Sequence, residues 1–142
     1  MKRLMMAAAL AAVMLSPRTL GAAGEESGKG SVAQGYRGAA ITVGWDQLLY
    51  VKKGDRVDVL VTFDALMKDD RKEKVTATIL QNVVVLNVMK PAGREGSGVI
   101  ELLLNPNEAQ YAALSVAQGQ KVHISVRAVG DLELHPMEMA SF

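Results

Sequence analysis

Two histidines, a short row of polar residues on one strand and several carboxylate pairs are the groups in this chain that could do chemistry. His123 and Ser125 stand two apart with Arg127 beyond them, the spacing at which a strand places three side chains on one face. A Ser–His pair invites a hydrolytic reading, but no GxSxG-type elbow precedes the serine and no acidic partner is fixed nearby. Solvated strand residues account for them better. His135, before Pro136, would need further ligands to hold a metal, and only scattered carboxylates are at hand. Asp55 and Asp58 could bind calcium or act as acid and base. Asp55 more simply shapes a turn by bonding local backbone. Asp69 and Asp70 are interleaved with Lys68, Arg71, Lys72, Glu73 and Lys74, as in a solvated hairpin tip. Met67, Met89, Met137 and Met139 are dispersed, which suits core or tail filling rather than a copper cluster. Trp45, Tyr36 and Tyr50 fall within one short region and could stack on a sugar; the alternative is that Trp45 caps the core. The glycine-rich stretches lack phosphate-loop spacing. No catalytic, cofactor or metal residue is expected.

The elements that would carry these groups are mostly strands. Val57, Val59, Val61 and Phe63 alternate with Asp58, Leu60 and Thr62, a period of two with one face buried. Val75, Ala77 and Ile79 alternate with Thr76 and Thr78 in the same way, and the charged run 66–74 joins the two. Val83–Val88 is β-branched without alternation, as in a strand buried on both faces or central in a sheet. Gln81-Asn82 breaks the apolar period and marks a bulge or bend in one long strand. Short strands are predicted at 39–43, 99–104 and 121–127, with a last one at Leu132–Leu134. Trp45–Val51 could be a helical turn or extended, and Lys52–Asp55 a turn using Gly54.

One segment keeps a helical period. Asn105 is an N-cap, Pro106 takes the first helical position, Glu108 completes a capping box, and Ala109, Ala112, Ala113 and Val116 form a narrow apolar stripe. Gly119 is placed to end this helix as its C′ residue. The expected fold is mainly β (α+β): a small antiparallel β domain of six to seven strands with one packed helix near residues 106–118.

The 142-residue chain opens with Lys2 and Arg3, an apolar run from Leu4 to Leu15, and small residues at Gly21, Ala22 and Ala23. This is the pattern of a signal peptide over 1–23, too short for a lasting membrane span; an uncleaved inner-membrane anchor is the competing reading. Losing Lys2, Arg3 and Arg18 turns 16 basic against 15 acidic residues into 13 against 15. No basic stripe remains for nucleic acid. With no cysteine, disulfides, thiolate metal sites and cysteine catalysis are excluded. Residues 24–35 read as a flexible leader, 36–130 as a single β-rich domain and 131–142 as a closing strand or tail.

Gly54-Asp55-Arg56-Val57-Asp58, followed by Leu80-Gln81-Asn82-Val83, resembles the Flp pilus assembly CpaB/RcpC family. The later order of a strand ending at Leu104, a helix begun by Pro106-Asn107-Glu108-Ala109, Gly119 and a strand ending at Arg127 is similar too. Gly35–Val43 looks like the end of the SAF-like module that precedes this domain in the family, of which only the last strand or two is expected here. The resemblance implies a periplasmic, non-enzymatic accessory of a tight-adherence (type IVb) pilus, beside the outer-membrane secretin and peptidoglycan. Protein–protein contact is the expected mode, with strand edges and the His123/Ser125/Arg127 face as candidate surfaces. An envelope carbohydrate-binding module using Trp45 is the alternative. No cofactor is implied.

Overall fold

The computed structural model describes residues 32–141; the expected signal peptide and residues 24–31 of the expected leader lie outside the described residues. Six strands form one antiparallel sheet: β1 (Arg37–Gly44), β2 (Arg56–Leu66), β3 (Lys72–Met89), β4 (Ser97–Leu104), β5 (Lys121–Val126) and β6 (Met139–Ser141). A 3-10 turn, Trp45–Leu48, follows β1, and helix α1 (Pro106–Gln118) joins β4 to β5. The strand order is β1-β4-β3-β2-β5, with β6 added on β3. The fold is thus mainly β with one α-helix among the described residues.

Alternation places the core. Val57, Val59 and Val61 of β2 and Ile100, Leu102 and Leu104 of β4 are fully buried, and Ile41 and Val43 of β1 join them. Strands β1 and β5, the two ends of the sheet, also approach each other, so the sheet curls round this core. The 3-10 turn bridges the gap between them. Leu48 has no exposed surface, and Gln47 Oε1 accepts from the Ile124 backbone N–H of β5 at 3.1 Å. The ambiguous Trp45–Val51 stretch therefore begins as a short helical plug.

Strand β3 carries the irregularity that Gln81-Asn82 announced. It is one continuous strand, and its register against β2 slips between Val57/Val59 and again between Val59/Leu60. Asn82 takes φ 55°, a left-handed conformation that asparagine tolerates better than branched residues. Beyond this bend the strand is buried on both faces. Val85 belongs to the main core, while Leu86 is buried outside that cluster. A Cβ on Gly38 would touch both Val32 and Leu86 Cδ1, which places Leu86 against the segment leading into β1.

The β2–β3 hairpin extends further into the charged run than the alternation reaches, to Leu66 and Lys72. Near its tip, Lys74 Nζ donates to Asp64 Oδ1 at 3.1 Å and Gln120 Nε2 to Asp64 Oδ2 at 2.5 Å. The Lys74 hydrogen bond, helped by its charge and by Gln120, holds the Asp64 carboxyl below its ordinary pKa against the opposing effect of desolvation. A depressed carboxylate stabilises the fold above its unfolded pKa, ~3.9, and loses that contribution as pH falls through the folded value. Asp64→Asn should therefore lower stability slightly at neutral pH, since the pair is exposed. The difference from wild type should shrink as acid melts pass below pH ~3.9 and vanish once Asp64 is protonated in the folded state.

Helix α1 starts as expected. Asn105 Oδ1 accepts from Glu108 N–H and Glu108 Oε2 accepts from Asn105 N–H, both at 2.8 Å. Ala112 is buried, with Ala109 and Val116 packed on the core, whereas Ala113 faces outward. Gly119 closes the helix, but at φ −76° rather than in the left-handed region. Its glycine identity has a different cause: a Cβ there would collide with Val61 Cγ1, so the helix end lies directly on β2. The strand expected at Leu132–Leu134 is absent. The pairing segment is Met139–Ser141, opposite Val75–Ala77, because the residues before it are spent on side-chain contacts instead.

Candidate functional site

The fold brings the two segments Gly54–Asp58 and Leu80–Val83 side by side. Gly54 N–H donates to Val85 O at 2.8 Å and Val85 N–H to Asp55 O at 2.9 Å. Val57 pairs with Val83 and Val59 with Leu80. Asp55 Oδ2 accepts from the Lys52 backbone at 2.8 Å and shapes the turn in which Gly54 sits at φ 90°. Arg56 reaches across to Asn82, its guanidinium 3.2 Å from both the backbone O and Oδ1.

At the bend, Asp58 Oδ1 accepts two hydrogen bonds, from Asn82 N–H at 2.8 Å and from Arg127 Nε at 2.6 Å. The Arg127 side chain is only 5% exposed and that of Asp58 23%. Arg127 also donates to Glu133 O at 2.5 Å, approaches Asp131 Oδ1 at 3.4 Å and lies 3.5 Å from Gln81 Oε1. Its hydrogen bond to Asp58, with the charges of Asp58, Asp131 and Glu133, raises its pKa above the ordinary value, against a lowering by burial. It stays cationic at any pH of interest.

Gln81 completes the cluster. Its Nε2 donates to His135 O at 2.7 Å and its Oε1 accepts from His135 N–H at 3.0 Å. The carboxamide thus pairs with a peptide unit as a backbone would. Met139 faces Ala77, and four residues further along each segment His135 meets Gln81. Segment 135–141 therefore lies along β3 in a single register. The arrangement ties the end of β5, the β2–β3 bend and the trailing segment together; it positions chain rather than activating a nucleophile. We expect Asp58→Ala, which strips Arg127 and Asn82 N–H of their shared acceptor, to cost about 2 kcal/mol. Limited proteolysis should then cut more readily between Ala128 and Met137.

The remaining candidates are dispersed. Arg127 does not belong to an exposed contact face with His123 and Ser125, because residues 131–135 fold over it. Ser125 is exposed and His123 half-buried. His135 engages through its backbone. Asp69 pairs with Arg71 at the hairpin tip. Among the described residues no group of three or more His, Asp or Glu is placed to hold a metal ion. Tyr36 precedes β1 and Trp45 follows it, about 30 Å apart along an extended strand, so the aromatic residues do not form one platform. Tyr50 is 80% exposed.

Periodicity gave no sign of the clefts between α1 and the trailing segment. Tyr111 and Leu114 face Met139 across one, and Leu134 and Met137 line the next, with Ile79 shared by both. Helical spacing does put Tyr111 and Leu114 off the Ala109/Ala112 stripe; it cannot say what stands opposite them.

Comparison with known families decides the kinship. The description "Flp pilus assembly protein RcpC/CpaB" matches residues 30–134. The chain belongs to the RcpC/CpaB family of Flp pilus assembly proteins. The match includes β1 to β5, α1 and all the residues round Arg127 up to Glu133, while β6 lies beyond it. No curated protein matches the chain, and no solved structure does. Family membership supports a role in pilus assembly and an association with the cell envelope. Among the described residues no helix is long and apolar enough to cross a membrane.

Proposed function

We propose that this chain is a periplasmic accessory of a Flp (tight-adherence, type IVb) pilus system that acts by protein–protein contact and carries out no reaction. The observation that carries the proposal is the family match over residues 30–134. The N-terminal pattern of Lys2, Arg3 and the apolar run to Leu15 supports export by a signal peptide removed near Ala23. Gly54–Asp58 and Leu80–Val83 act as the family's structural signature, since together they build the bend that orients the rest. The polar groups that are partly buried at the bend serve one another: Asp58, Arg127, Asn82 and Gln81 all satisfy partners within the fold. Contact surfaces are supplied by the hairpin tip, where Leu66 and Met67 are exposed, and by the outer face of β5 at His123 and Ser125.

Affinity purification of the tagged chain from envelope extracts of a piliated cell tests this reading. Enrichment of the secretin or another pilus component is expected. Sedimentation with purified peptidoglycan, with Trp45→Ala alongside, separates the protein partner from a glycan partner. Glycan binding that depends on Trp45, without any enriched pilus component, would overturn the proposal.

A further inference from the structure

The outer side of β3 is shared between two neighbours. Strand β4 takes residues 84–89 and β6 takes 75–77, and between them the edge is closed only by the Gln81 carboxamide on His135. Without segment 131–141 this stretch would be a bare strand edge beside an apolar wall of Ile79, Tyr111 and Leu114, and an unpaired edge is a template for a further strand. The segment that fills it is held lightly. Every residue from Ala128 to Ser141 is exposed, and Leu132, Leu134, Met137 and Met139 keep 59%, 67%, 60% and 71% of their surface in solvent. It is joined to the sheet by a tight turn in which Asp131 N–H donates to Ala128 O at 3.1 Å and Gly130 takes φ 84°. No strand lies between Val126 and Met139.

We infer that the β3 edge at residues 75–81 is a strand-accepting site whose occupant in the assembled state is segment 132–141 of a second copy of this chain. The site is known to fit that sequence, because the chain's own segment sits in it. Every contact made within one copy is available between two: the β6 ladder, the Gln81–His135 pair and the Arg127–Glu133 O bond. Exchange of an identical element loses no contact and requires only that the 128–131 turn open, so concentration and turn strain set the balance. Arg127 stays anchored on Asp58 of its own copy and fixes where the hinge begins. The inference goes beyond the proposed pilus role and does not depend on which component the chain meets.

The chain has no cysteine, which allows a direct test in the full protein. Thr76 and Ala140 are register partners, and facing positions on antiparallel strands lie within the reach of a disulfide. Thr76→Cys and Ala140→Cys are made as separate single variants, mixed at high concentration and oxidised mildly. Exchange places position 140 of one copy against position 76 of the other, so the mixed 76–140 disulfide should exceed each symmetric dimer by ~10-fold or more. Gly130→Val, which disfavours the closed turn at φ 84° and whose Cβ has no neighbouring atom within 4 Å, should raise that yield further. A mixed product no more abundant than random pairing predicts, with and without Gly130→Val, would overturn the inference. So would capture of the Thr76→Cys chain by a different envelope polypeptide with no mixed dimer, which would give the edge to another occupant.

Discussion

Gly98→Val should strip the domain of a large part of its stability. Gly98 sits buried at the start of β4, opposite Val43 of β1, and an added Cβ would overlap Leu48 Cδ1 and the Met89 backbone oxygen, with Pro91 Cδ close behind. A flexible side chain could yield; a backbone carbonyl at the end of β3 cannot move without taking the strand with it. Overpacking in a tight core costs ~1–3 kcal/mol when neighbours relax, and here the rigid contact and two further methyl groups place the cost at or above ~3 kcal/mol. For a small domain whose whole stability is ~5–15 kcal/mol that is a large share, and it should show as a strongly lowered Tm. Thermal melts of the purified variant read this directly, with Gly98→Ala expected to fall between wild type and the valine.

Leu48→Ala should have the next largest effect, a loss of about 3–4 kcal/mol and a Tm lower by ~15 °C. Leu48 is a fully buried residue on the 3-10 turn, and it plugs the seam where β1 and β5 approach. Truncation leaves a cavity bounded by strands that cannot close on it. The same change releases one of the two collisions at position 98 but not the one with Met89 O. The double variant Leu48→Ala/Gly98→Ala should therefore show less than the summed loss, yet no recovery to the Leu48→Ala level. Full recovery would mean that Leu48 alone sets the limit at Gly98.

The strands were legible because their interiors alternate: Val57 to Val61 and Ile100 to Leu104 have one side on the core and one off it. The capping box at Asn105 and Glu108 was legible because it is local. Asn82 announced the bend because two polar residues interrupt an apolar run. What stayed hidden depends on contacts between distant parts of the chain. Arg127 lies on the polar side of β5 by alternation, and only residues 131–135, folding over that side, bury it. Leu132–Leu134 alternates better than Met139–Ser141, yet Arg127 holds Glu133 O and the Gln81–His135 pair sets a register that puts residues 139–141 on the ladder. At Gly119 the local rule expects a left-handed residue, while the observed need is room for Val61.

The central claim is that this fold serves pilus assembly through the surfaces it presents. Pilus number per cell in a strain lacking the chain, complemented with defined variants, tests it most directly. Loss of Flp pili on removal, recovery with wild type, and poor recovery with folded variants that put charge on the contact surfaces, Leu66→Glu/Met67→Glu at the hairpin tip or Ser125→Glu on β5, are expected. Unchanged piliation on removal, or full recovery with both surface variants, would contradict the claim.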